Sequence, residues 1–157
     1  MIAAYHEAGH AIMAYIVGWT ISSIEMDIHN NELNYARTTY DFNIDLIDNE
    51  INLQRRLLCL IGGPVSQALF QNTNQIDIDT LGNDGIMIDN LLTHLSQETK
   101  EDIIQCAIND TATILSLNDS LNAVQQIVEI LINAHNITSD EFHQIMILNN
   151  VTRMDFN

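Results

Sequence analysis

Apolar residues recur at helical spacing from Ile2 to Val17, with neither proline nor a β-branched run, and predict a first helix that Gly18 stops. The next two stretches, TISSIEMDI and ELNYARTTY, are rich in β-branched and aromatic residues and flank the turn-forming His29-Asn30-Asn31. They predict a β-hairpin, or two adjacent short strands. From about Asp48 the helical pattern returns in NEINLQRRLLCLI and runs into Gly62-Gly63-Pro64, where the chain's one proline predicts a kink or a restart before SQALF. A polar loop, QNTNQIDID, leads to a helix beginning near Asn83 with Asp84 in its first turn, where a carboxylate suits the positive end of the helix dipole.

Capping signals divide the remainder. Ser96 and Thr99 predict the start of a long helix containing EDIIQCAINDTATILSL, and Asn118 and Asp119 predict the cap of another that runs to about His135. Thr138 and Glu141 form a capping-box pattern before a last helix, EFHQIMIL. The fold class that results is mainly α: a compact helical domain with one small β-hairpin or sheet after the first helix. With 157 residues, 46% of them hydrophobic, and no internal repeat or long linker, residues 1–157 read as a single domain.

Charge narrows the partners. Asp and Glu number 21 against 5 Lys and Arg, a formal net charge of −16, which repels phosphate backbones and argues against nucleic-acid binding. The excess carboxylates read as a solvated surface. Cys59 and Cys106 lie in apolar runs, LLCLI and IIQCAI, and are expected in the core. No apolar run approaches the roughly 18 residues that span a bilayer, and the start carries no basic leader, so a soluble, cytoplasmic chain without a membrane span is expected.

The chemistry concentrates in the first helix, where His6-Glu7-Ala8-Gly9-His10 forms an HExxH pattern. Residues four apart share a helical face, so both imidazoles can bind one cation, while Glu7 borders that face and can take a proton from water activated there. Ala8 and Gly9 leave room around the ion. The chain's own His and Glu frequencies give about a one-in-a-hundred chance of the pattern arising by accident, and a helical setting is what gives the spacing its meaning. A catalytic zinc needs a third protein ligand. The metzincin arrangement is excluded, since Met13 and Ile16 occupy the positions of its glycine and third histidine. Glu50 and Asp84 both remain as candidates on residue type and placement alone.

AYHEAGHAIMAYIVG resembles the start of the peptidase domain of FtsH-type ATP-dependent zinc proteases. The likeness continues in order through the hairpin, LLCLIGG (the family's LGGRAAE), TLGNDGIMIDNLL (TGASNDLxxAT) and ILINAHNITSDEFHQIM (LLExETLDGEEF), and so covers nearly the whole chain. It implies Zn2+ held by His6, His10 and Asp84, the last 74 residues after His10 (84 minus 10), with Glu7 as general base. It also implies hydrolysis of peptide bonds in unfolded or short polypeptide substrates, and it allows a homo-oligomer and a separate ATPase partner.

Three departures temper this. Gly62-Gly63-Pro64-Val65-Ser66-Gln67 lacks the arginine and glutamate of GGRAAE, no YGMS-like stretch follows His94, and no GxxxxGK[ST] phosphate loop occurs, Lys100 being the single lysine. The alternative function is therefore a zinc-binding but non-proteolytic helical interaction module. Elsewhere, His29, His94, His135 and His143 lack ligand spacing and read as surface or capping residues. Asp77 and Asp79 read as loop acids, one of which could orient a ligand histidine. Tyr5 and Trp19 read as packing residues beside the first helix.

Overall fold

The computed structural model describes residues 1–29, 32–41, 50–73, 76 and 82–155. Its described elements run α1 (Ile2–Ile16), β1 (Ile21–His29), β2 (Glu32–Tyr40), α2 (Glu50–Gln71), α3 (Asn83–Leu91), α4 (Gln97–Leu115), α5 (Asn118–Ala134), β3 (Asn136–Thr138) and α6 (Ser139–Leu148). The fold is mainly α with one small antiparallel sheet, as the hydrophobic pattern predicts. No helix among the described residues is long and apolar enough to cross a membrane.

α1 is the central element. Eleven of its residues are buried, including Ala4, Ala8, Ile12 and Met13, because it is covered by α2 on one side and α5 on another while the hairpin lies across it. Its end is built as expected. Gly18 takes φ +97°, its N–H donates to Tyr15 O (3.0 Å), and the Trp19 N–H donates to Ala14 O (2.9 Å), which satisfies carbonyls that the last turn would otherwise leave unpaired. Tyr5 stacks on Phe70 at 3.8 Å between centroids and Trp19 on Tyr40 at 5.3 Å, so both aromatic residues beside α1 pack as expected.

The contact between α1 and α2 is unusually close because glycines face each other across it. A Cβ on Gly9 would collide with the Gly62 carbonyl and with Ser66, and one on Gly62 would crowd the Gly9 carbonyl and Met13. Backbone therefore meets backbone where α1 carries its motif. Pro64 lies inside this helix without causing a restart: α2 runs unbroken from Glu50 to Gln71, with Leu57–Ser66 buried throughout. Packing of that apolar run against α1 outweighs the one hydrogen bond that proline cannot donate, the bond to the Leu60 carbonyl.

The sheet has strand order β2-β1-β3. β1 and β2 form the expected antiparallel pair, with Met26 opposite Ala36 and Ile24 opposite Thr38. His29 ends β1, and Asn30 and Asn31 of the expected turn lie outside the described residues. β3 is an addition to the hairpin. Ile137, fully buried, pairs with Ile24, so β1 is hydrogen-bonded on both sides. Three residues are too few to show a period-2 pattern, which is why the strand escapes sequence reading.

Caps agree in part. The Ser96 hydroxyl accepts the Thr99 N–H at 3.3 Å, and Thr138 with Glu141 forms a complete capping box at α6. The cap of α5 is corrected: Leu117 holds the N-cap position with no side-chain bond, and Asn118 and Asp119 are the first helical residues. Cys106 is also corrected. Cys59 is buried as expected, but Cys106 is exposed on α4, because the buried stripe of that helix runs through Ile104, Ala107, Thr111 and Leu115 instead. The polar loop from Gln71, with Asp77 and Asp79, falls largely outside the described residues.

Candidate metal centre

Helical spacing on α1 sets His6 and His10 one turn apart, with ring centroids 4.6 Å apart and planes at 82°. The two Nε2 atoms come within 3.0 Å. What aims His10 is the neighbouring helix. Its Nδ1–H donates to the Cys59 carbonyl at 2.7 Å, and since a carbonyl can only accept, the proton of a neutral imidazole stays on Nδ1 and leaves the Nε2 lone pair free. Gly63 makes that approach feasible, because a Cβ there would overlap the His10 ring.

Asp84, the second residue of α3, completes the group. Its Oδ2 lies 2.9 Å from His6 Nε2 and 3.3 Å from His10 Nε2. Among the described residues, His6, His10 and Asp84 form a group able to hold a metal ion, with ligand atoms all within 4.8 Å of one another. Glu50, the other candidate for a third ligand, is exposed at the start of α2 and stands outside this group. His29, His94, His135 and His143 are all exposed, and His135 caps α5 in the left-handed conformation (φ 62°).

The electrostatics follow from burial and pairing. Burial alone would lower the pKa of His10, but hydrogen bonding and Coulomb attraction to Asp84, the Glu7 charge and the Cys59 carbonyl together raise it above 6.5. Burial opposes the charge on Asp84 too. There the two imidazoles prevail and hold its carboxyl well below the usual carboxylate range.

Glu7 is buried beside this group and, among the described residues, belongs to no ligand set. Its carboxylate is bound from β2, whose Thr38 hydroxyl lies 2.8 Å from Oε2 and 3.0 Å from the Glu7 backbone carbonyl. Both open into a cleft of about 630 Å³, whose walls include His6, His10, Leu60, Asp84, Met87 and the run Ala36–Tyr40. Five consecutive residues of β2, an edge strand of the sheet, thus line the cleft. Tyr40 lines the cleft as well, and burial, aided by Cys59 and opposed by Arg56, pushes its phenol up, so it stays protonated at neutral pH.

Three contributors lie beyond sequence reasoning: Thr38, the Cys59 carbonyl and Gly63. Each acts across a tertiary contact, and only the Gly62-Gly63 pair left a mark, as part of a glycine-rich stretch. No protein-family model matches the chain, and no curated protein matches its sequence significantly.

Proposed function

We propose that this chain is a zinc-dependent metallopeptidase domain of the FtsH type, hydrolysing peptide bonds in unfolded or short polypeptides. The observation that carries this reading is the convergence of His6, His10 and Asp84 with Glu7 beside them in one cleft. Zinc bonds to imidazole nitrogen and carboxylate oxygen are about 2.0–2.2 Å long, which places tetrahedral ligand atoms roughly 3.3 to 3.6 Å apart. The ligand separations here, 2.9, 3.0 and 3.3 Å, are close to that edge length and need only a slight opening. Two histidines and one carboxylate also match the donor set of catalytic zinc, which keeps a further position for water.

Held by these three residues, the ion would supply Lewis acidity, activating water and polarising a peptide carbonyl. Glu7 takes the proton from the attacking water on its carboxylate and returns it to the leaving amine. His10, locked by the Cys59 carbonyl, keeps its lone pair directed into the site. The edge of β2 suits an extended polypeptide, whose main chain can hydrogen-bond along a strand with no outer partner among the described residues. That geometry favours unfolded or short chains, since a folded substrate rarely offers a free extended segment.

Metal content and cleavage of an unfolded protein, measured for the wild type and for Glu7→Gln, test the reading. Both should hold zinc and only the wild type should cleave. Zinc binding without wild-type cleavage would instead favour the non-proteolytic module. If His10→Ala retained zinc as well as the wild type, the ligand assignment would fail.

A further inference from the structure

We infer that Thr38 is a positioning residue that holds the general base, and thereby sets the turnover number; the inference rests on the metallopeptidase reading of the site. The Thr38 hydroxyl carries one proton and faces two acceptors on the same residue, Glu7 Oε2 at 2.8 Å and the Glu7 carbonyl at 3.0 Å. The carbonyl is within α1, where the Ala11 N–H serves as its helical partner. The carboxyl oxygen is buried and is the nearer acceptor, at 2.8 Å against 3.0 Å. The proton therefore goes to Oε2.

This fixes the side chain and divides the labour between its oxygens. Oε2 is tied to the strand, which leaves Oε1 as the oxygen that receives the proton from water. Thr38 can hold it firmly because its own place is fixed. It pairs with Ile24 of β1, which is fully buried and pairs on its other side with Ile137, so the donor's strand is held against a neighbour that is itself hydrogen-bonded on both sides. Thr38 shares the half-buried face of β2 with Ala36 and Tyr40, and from that face its hydroxyl meets the carboxylate. Valine has the same shape and β-branching as threonine and lacks the donor.

The test compares zinc-loaded wild type, Thr38→Val and Thr38→Ser on an unfolded polypeptide, with zinc affinity measured in parallel using the metal alone. Supporting groups of this kind are typically worth about 10- to 100-fold in activity. Thr38→Val should lose kcat within that range, keep KM, and bind zinc like the wild type, while Thr38→Ser should recover most of the turnover. A purely structural role predicts a different pattern, with zinc affinity falling alongside kcat and serine giving no rescue. Wild-type kcat in Thr38→Val, or a loss confined to KM, overturns the inference and leaves the metallopeptidase reading intact. No cleavage by zinc-loaded wild type overturns both. Should Thr38→Val fail to fold, Thr38→Ala against Thr38→Ser gives the same comparison.

Discussion

Gly63 lies against the imidazole of His10 with no space for a side chain between them. A Cβ at that position would overlap the ring at Nε2, Cδ2 and Cε1. The same helix pair has a second intolerant position at Gly9, where a Cβ would meet the backbone of α2. The two contacts differ in what can yield: a ring can turn away, and a helix backbone cannot without parting from its neighbour.

Gly63→Ala should accordingly act on the site. The ring must leave the Cys59 carbonyl, and zinc affinity should fall about 10- to 100-fold, as when an orienting partner of a ligand is lost. Gly9→Ala should act on the fold, costing about 1–3 kcal/mol as an overpacked contact between elements. Zinc titration and thermal melts of the two variants, run side by side, separate the effects. Equal zinc affinity in Gly63→Ala and wild type would contradict the expected role of the glycine.

The third ligand invites a direct comparison. Asp84→Ala should weaken zinc binding by more than about 100-fold, since outer partners alone are worth up to about that much. Glu50→Ala should leave it unchanged, because Glu50 is exposed and outside the group. Isothermal titration with zinc decides, and the reverse result would overturn the assignment.

The cysteines should differ in reactivity. Burial pushes the Cys59 thiol well up and shields it, whereas Cys106 is exposed. A native chain treated with an alkylating reagent should therefore gain one adduct, on Cys106, and the second only after unfolding. Peptide mass spectrometry reads this directly.

A pH effect follows from the capping box at α6. The backbone N–H and hydroxyl of Thr138 both donate to Glu141 and lower its pKa below 4.5. A carboxylate with a depressed folded value contributes stability above its unfolded value, and that contribution is lost as pH falls through the folded one. Thr138→Ala should cost about 1 kcal/mol near neutral pH. The gap from wild type should narrow below pH 4.5, which melts across the acid range would show.

Much of this was legible because the signals are local. HExxH draws its meaning from helical spacing within five residues, and the hairpin, Gly18 and the caps at Ser96 and Thr138 are short-range patterns. Pro64 does not restart the helix for the converse reason: its local penalty is real, but α2 is held by α1. Cys106 misleads because an apolar neighbourhood in sequence becomes a choice of faces once the helix packs. In the site, residue type left Glu50 and Asp84 equal, and only the fold, which sets Asp84 at the start of α3 against His6 and His10, separates them. The Thr38 hydroxyl and the Cys59 carbonyl are invisible in sequence, since any threonine and any backbone carbonyl look alike until the fold chooses one.

The pairing of Ile24 with Ile137 spans 113 residues (137 minus 24). A growing chain would thus complete its HExxH helix and both hairpin strands long before the segment that covers the inner edge of β1 has been made. Until Asn136–Thr138 arrives, that edge offers unpaired amides to any neighbour, a template for association between chains. Truncation ahead of residue 136 should therefore produce an aggregating product, however intact its first 84 residues are.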